Sequence, residues 1–214
     1  MTLAAVIWDF GGVVSSSPFE AFNRFEATHG LPRDFIRGVN ATNPDHNAWA
    51  LFERSELDAA GFDAAFLAES SAKGHPVRGA DVLPLLGGDI RPRVVEALRI
   101  CRQHVKIGCI TNNVASGDGA GMSTSFTQAD QARRALSLVH HVLESSTIGI
   151  RKPDPRIYAL MCEALGVEPS ACIYLDDLGV NLKPAAAMGM RTIKVTGEDQ
   201  LLTDLAAATG FVFP

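Results

Sequence analysis

Along the chain, short unbroken apolar runs alternate with stretches whose apolar residues recur every three or four positions. Residues 3–8 (LAAVIW), 105–110 (VKIGCI) and 171–175 (ACIYL) are runs of the first kind, and 191–195 (RTIKV), between Gly189 and Gly197, is a further strand-like stretch. Their length suits strands, and continuous rather than alternating hydrophobicity predicts strands covered on both faces. Residues 142–144 could add a short fifth strand. After Asp154-Pro155, the residues Ile157, Leu160, Met161, Ala164 and Leu165 fall on one helical stripe. Asp154 stands where an N-cap belongs, Pro155 fits the first turn, and Gly166 supplies the stop. Helices are likewise predicted over 93–102 and over 181–188, the second closed by Gly189. This alternation predicts an α/β fold, a Rossmann-like parallel sheet flanked by helices.

Residues 18–79 break the rhythm. Phe19, Phe22 and Phe25, and the stretch 53–67, have helical spacing, and no strand run occurs among them. The pattern predicts a small α-helical cap domain, residues 17–79, inserted after the first strand, with 1–16 and 80–214 forming the core. The three phenylalanines read as cap core, and Trp49 and Phe52 as cap packing or the wall of a cleft. Asp45 and His46 could reach a ligand from the cap. His140 and His141, just before the short strand, read as solvent-facing or helix-capping. Residues 117–126, rich in Gly, Ser and Thr, read as a surface loop long for a strand-to-helix connection.

Composition narrows the classes. The 214 residues are 47% hydrophobic and 20% charged, as in an ordinary globular protein, which excludes disordered and fibrous readings. A formal net charge of −5 with scattered Lys and Arg argues against a nucleic-acid partner. No apolar run approaches the ~18 residues of a membrane helix, and no leader pattern precedes the first strand, so the expectation is a cytoplasmic protein without membrane contact. Cys101, Cys109, Cys162 and Cys172 lack CxxC spacing and read as buried reduced thiols.

Three of the apolar runs end in polar residues: Asp9, Thr111-Asn112 and Asp176-Asp177. Ligands of open parallel sheets bind beyond the carboxyl ends of strands, so three such endings point to one shared site. Carboxylates with further oxygen donors suit Mg²⁺. A carboxylate can also attack phosphorus, and the phosphoryl group then needs donors and a cation around its oxygens. Lys152 is the candidate cation, because Pro153 favours an extended backbone before a capped helix. Taken singly, each piece has a plainer reading: an Asx turn at Asp9, helix caps at Thr111-Asn112 and Asp176-Asp177, and a solvated charge at Lys152.

The segments VIWDFGGVV, CITNN, GIRKPDPRIY and IYLDDLGVNL resemble the four motifs of the haloacid dehalogenase superfamily. ESSTIGIRKPDPRIY, YLDDLGVNLKPA and AAMGM resemble in particular the branch that contains the N-terminal phosphatase domain of soluble epoxide hydrolases. The resemblance implies a Mg²⁺-dependent phosphatase acting on a small phosphorylated substrate. It implies Asp9 as nucleophile, Lys152 as the residue that steadies it, and Thr111 and Asn112 as phosphoryl binders. The metal would be held by Asp9, Asp177 and the Gly11 carbonyl, with Asp176 binding directly or through a water. The departure is Gly11, where most phosphatases of the superfamily carry an acid/base aspartate. That predicts slow or selective turnover, with Asp118, Ser15, Ser16 and Ser17 as conceivable stand-ins. The alternatives are a catalytically degenerate protein that binds a phosphorylated ligand, and a carbon–halogen hydrolase.

Overall fold

A computed structural model describes residues 2–114 and 126–214. Most of the loop expected at 117–126, Asp118 included, lies outside the described residues; Phe126 opens a helix. The predicted strands form a single parallel sheet: β1 (Ala5–Trp8), β2 (Lys106–Thr111), β3 (His141–Glu144), β4 (Cys172–Asp176) and β5 (Arg191–Lys194). Their order is β3-β2-β1-β4-β5, which puts β1 at the centre. Every residue of β1 and β4 is buried, as their unbroken hydrophobicity requires.

Alternate side chains enter two separate cores. Val6, Trp8, Ile107, Cys109, Ile173 and Leu175 face α6 (Pro92–Arg102), α7 (Phe126–Leu136) and α11 (Glu198–Thr209). Ala5, Ile7, Cys172 and Tyr174 face α9 (Pro155–Leu165) and α10 (Gly179–Ala187). The helix α9 sits tightly on the sheet at Gly108, where a β-carbon would lie 2.6 Å from the Met161 sulfur. Asp154 caps this helix by accepting from the Arg156 N–H at 2.9 Å, and Gly166 ends it in the left-handed region. All four cysteines are buried with free thiols.

The elements between β1 and α6 are helices, including α1 (Pro18–Thr28), α2 (Phe35–Asn40), α3 (Ala48–Glu53), α4 (Ala59–Ala72) and the short α5 (Gly79–Val82). They pack around a third cluster containing Phe22, Phe52, Phe62 and Phe66, which Val82, Leu86 and Val114 extend. The helical stretch read at 53–67 is two elements. Ser55 takes a positive φ of 59°, and the Asp58 carboxylate restarts the helix by accepting from the Gly61 N–H at 2.7 Å. The chain leaves and re-enters the core through adjacent antiparallel segments. The Ser16 N–H donates to the Asp89 carbonyl at 2.9 Å, and the Arg91 N–H to the Val14 carbonyl at 3.0 Å. His140 is exposed, as expected, and its ring Nδ1 also accepts the Ile107 N–H at 2.9 Å at the start of β2. Among the described residues no helix is long and apolar enough to cross a membrane.

Candidate active site

The register aligns the strand ends. Trp8 is level with Cys109 of β2 and Leu175 of β4, so Asp9 and Asp176 leave the sheet side by side with Thr111 next to them. After Asp9 the chain makes a tight wide turn over Phe10–Val14, in which Gly12 adopts φ +78°. A β-carbon on Gly12 would lie 2.3 Å from Asp177 Oδ2, so only glycine permits the approach of this turn to that carboxylate. Replacing Gly12 with alanine should therefore push Asp177 aside. We expect divalent-metal affinity, measured by calorimetric titration, to fall about 10-fold or more.

Lys152 binds these elements together. Its ammonium, 1% exposed, lies 2.7 Å from Asp9 Oδ1 and 2.9 Å from Asp176 Oδ2. Asp9 Oδ1 also accepts from the Phe10 N–H at 2.6 Å. Asp176 is fully enclosed, and its carboxylate is heavily used. Oδ1 accepts from the Leu178 N–H at 2.8 Å and the Asn181 side chain at 3.0 Å, while Oδ2 accepts from the Tyr174 hydroxyl at 2.5 Å. Asn181 is held in turn, its carbonyl accepting from the Tyr158 hydroxyl at 2.7 Å. Asp177, half-buried, lines the cavity, and its own backbone N–H donates to its carboxylate.

Electrostatics mark the site as short of positive charge. Carboxylate oxygens of Asp9, Asp176 and Asp177 lie within 4.8 Å of one another, against the single Lys152 ammonium. Burial, reinforced by Asp176, pushes the Asp177 carboxyl up to about 6 despite Lys152 and Arg91 nearby. Burial also raises Asp9, and the neighbouring carboxylates add to the effect against the pull of Lys152. Desolvation opposes the Lys152 charge, but Asp176 and Asp9 together hold its pKa above the ordinary lysine range. Three carboxylates against one ammonium leave two negative charges when all are ionised. A hard divalent cation with oxygen ligands fits that donor set and that charge.

These groups open onto a cavity of about 750 Å³ between the sheet edge and the helical insert. Asp9, Gly11, Thr111, Asn112, Lys152 and Asp177 line it, while Asp176 lies beneath. The opposite wall is largely apolar, with Phe19, Phe22, Trp49 and Leu86. Asp45 lines the cavity; His46 does not. Of the three serines named from the sequence only Ser15 reaches the wall. Ser16 Oγ accepts from the Asp89 N–H at 3.0 Å, and Ser17 caps α1.

Asn112 is placed differently from a simple phosphoryl donor. Its side chain brackets the backbone of Lys152, Oδ1 accepting from the Lys152 N–H at 2.8 Å and Nδ2 donating to its carbonyl at 3.0 Å. Asn113 holds the short helix α8 (Ser145–Ile148) instead, accepting from the Ser146 N–H and hydroxyl at 3.2 and 2.8 Å. The Thr111 hydroxyl has no protein acceptor among the described residues. Gly11 lines the cavity at φ −69° and ψ 130°, and a β-carbon there would meet nothing within 4 Å. Sequence reasoning missed Tyr174, Asn181, Arg91 and Glu53. Tyr174 had a signal in its alternation with Asp176 on β4, and Asn181 in its place five residues beyond that aspartate. Glu53 had none.

Comparison with known proteins identifies the family. Residues 3–189 match the family model of haloacid dehalogenase-like hydrolases. The chain is 36% identical over 212 residues to Phosphatase MT3486 of Mycobacterium tuberculosis, covering 94% of this chain and 90% of that one. It is 29% identical over 232 residues to mouse Bifunctional epoxide hydrolase 2, covering all of this chain and 40% of the relative. The chain thus spans well under half the length of several curated relatives that it matches. A Bacteroides thetaiotaomicron enzyme of the family, solved with magnesium and inorganic phosphate, superposes with a TM-score of 0.60 at 18% identity, covering 92% of this chain and 96% of that one. That likeness concerns the fold alone; the family model, matched over most of the chain, shows that the chain belongs to the haloacid dehalogenase-like hydrolases.

Proposed function

We propose that the protein is a Mg²⁺-dependent phosphatase that hydrolyses a small phosphomonoester through an aspartyl-phosphate on Asp9. The observation that carries this reading is the Lys152 ammonium held between Asp9 and Asp176, beside Asp177, on the floor of the cavity. The relatedness to proteins named as phosphatases supports it. Residues 17–79 serve as the cap over the substrate, and the expected cytoplasmic location stands with this reading.

Asp9, Asp177 and the Gly11 carbonyl would hold the metal, and Asp176, whose oxygens are already taken by protein donors, would act through a water. When bound, Mg²⁺ supplies positive charge to the phosphoryl oxygens and offsets the carboxylates around it. Lys152 and the Phe10 N–H fix the Asp9 carboxylate in place. An Asp9 oxygen attacks phosphorus as the bond to the leaving oxygen breaks, and Lys152 with the Thr111 hydroxyl and the loop at Asn112 meet the charge on the phosphoryl oxygens. Water then attacks phosphorus as the bond to the Asp9 oxygen breaks; its proton leaves with the phosphate, and Asp9 is restored as a carboxylate. Gly11 offers no side chain to protonate the leaving oxygen, so leaving groups that are stable as anions should turn over fastest.

Release of phosphate from a panel of phosphomonoesters and acetyl phosphate, with Mg²⁺ and with chelator, tests the reading. Metal-dependent release supports it. Tight binding of inorganic phosphate with Mg²⁺ and no turnover of any compound favours a binding-only protein, the alternative that Gly11 motivates.

Metal binding should also depend on pH in a direction set by Asp177. Its folded-state pKa of about 6 stands above the ordinary aspartate value, so its ionised form is penalised in the fold. That penalty grows as pH rises through this window, and Mg²⁺ relieves it. The rise in Tm given by Mg²⁺ should therefore be large at about pH 8 and small at about pH 5, read by thermal melts with metal against chelator.

A further inference from the structure

Two carboxylates of the helical insert are buried among the described residues, Glu26 and Glu53. Glu26 serves its own layer, accepting from the Asp34 and Ile36 N–H groups at 2.8 and 2.9 Å. Glu53, the last residue of α3, turns toward the core. Its Oε1 accepts from the Trp49 indole of its own helix at 2.9 Å. Its Oε2 takes Arg151 Nε at 2.6 Å and Asn112 Nδ2 at 3.4 Å. Arg151 also donates Nη1 to the Pro44 carbonyl of the insert at 2.9 Å. Both core partners of Glu53 therefore adjoin Lys152: Arg151 in sequence, and Asn112 through the two hydrogen bonds that bracket the Lys152 backbone.

A buried ion pair contributes little net stability, because desolvation offsets its attraction, so stability alone gives no reason for this one. Its position gives a better reason. We propose that Glu53 is a positioning residue, which ties Asn112 and the 151–152 backbone to the insert so that the Lys152 ammonium is set on Asp9 when the insert lies against the core. Trp49, on the cavity wall, shares the same carboxylate, so a ligand that presses on this indole bears on the same connection. The inference rests on the phosphatase reading only for its kinetic arm.

The Lys152 amide gives a direct readout, since its N–H donates to Asn112 Oδ1. In the full chain, Glu53→Gln and Glu53→Ala should speed hydrogen exchange of that amide, followed by NMR without substrate, by about 10-fold or more relative to amides within α9. With p-nitrophenyl phosphate and Mg²⁺, kcat should fall about 10- to 100-fold while KM changes far less. The glutamine variant, which keeps an acceptor for Arg151, should lie between wild type and alanine. Arg151→Gln approaches the same contact from the core side and should quicken the same amide, so the test survives if a Glu53 variant does not fold. Uniform loosening of the whole insert with a lower Tm, but unchanged kcat and unchanged relative exchange at Lys152, would overturn the proposal. A wild-type protein that releases no phosphate, yet whose Lys152 amide responds as stated, would refute the phosphatase reading and support the positioning role.

Discussion

Asp9→Asn should lose phosphatase turnover by about 10⁴-fold or more, without loss of fold. An amide cannot replace the carboxylate as nucleophile, and the two neighbouring carboxylates are placed differently. Asp176 is enclosed by Lys152, Tyr174, Asn181 and the Leu178 N–H, and Asp177 emerges beyond β4 beside the Gly12 turn. The stability of the variant should move the other way. Burial, together with Asp176 and Asp177, raises the Asp9 pKa, so its ionised form costs stability at pH values above that raised pKa. The neutral amide removes this cost, and Lys152 keeps Asp176 at 2.9 Å. Melts in chelator at about pH 8 should give a Tm for the variant equal to or above that of the parent, with a smaller rise on adding Mg²⁺. A variant that retains turnover would remove Asp9 from the chemistry.

The second large effect is a gain. Position 11 has backbone angles that any L-residue adopts, and the space above its α-carbon is open on the cavity side. Gly11→Asp therefore places a carboxyl group next to the phosphoryl site without displacing a neighbour. If proton transfer to the leaving oxygen limits the parent, the variant should hydrolyse alkyl phosphates about 10²–10⁴-fold faster. Acetyl phosphate, whose leaving carboxylate needs no proton, should change little. The ratio of kcat/KM for the two substrate types, parent against variant, reads this directly. An equal response of both substrates would show that Gly11 acts through something other than leaving-group protonation.

Much of this arrangement was legible in the sequence, for a physical reason. Parallel strands covered on both faces must be continuously apolar, so a carboxylate or hydroxyl at the end of such a run stands out. Asp9, Thr111 and Asp176-Asp177 were found that way, and the register of β1 with β2 and β4 brings their strand ends to one edge. Lys152 was marked by the proline after it and the capped helix beyond. What stayed hidden depends on contacts between distant segments. Tyr174 sits inside an apolar run and reads as core until Asp176 is seen to accept its hydroxyl. Asn112 reads as a ligand-binding amide, while both of its side-chain polar atoms hold the Lys152 backbone. Glu53 carries no mark of its role in the sequence, because the packing of the insert against Arg151 is what buries it. The break between α3 and α4 was missed because the apolar spacing runs on across Ser55, whose positive φ no hydrophobic pattern reports.

The proposed mechanism turns on a covalent phosphoryl group on Asp9. Mixing the protein with acetyl phosphate and Mg²⁺, quenching in acid within one turnover and mapping peptides by mass spectrometry tests it most directly. An added phosphoryl mass is expected on the peptide carrying Asp9, present with Mg²⁺, absent with chelator and absent in Asp9→Asn. Phosphate release at the same rate with Asp9 unmodified at every quench time would contradict it.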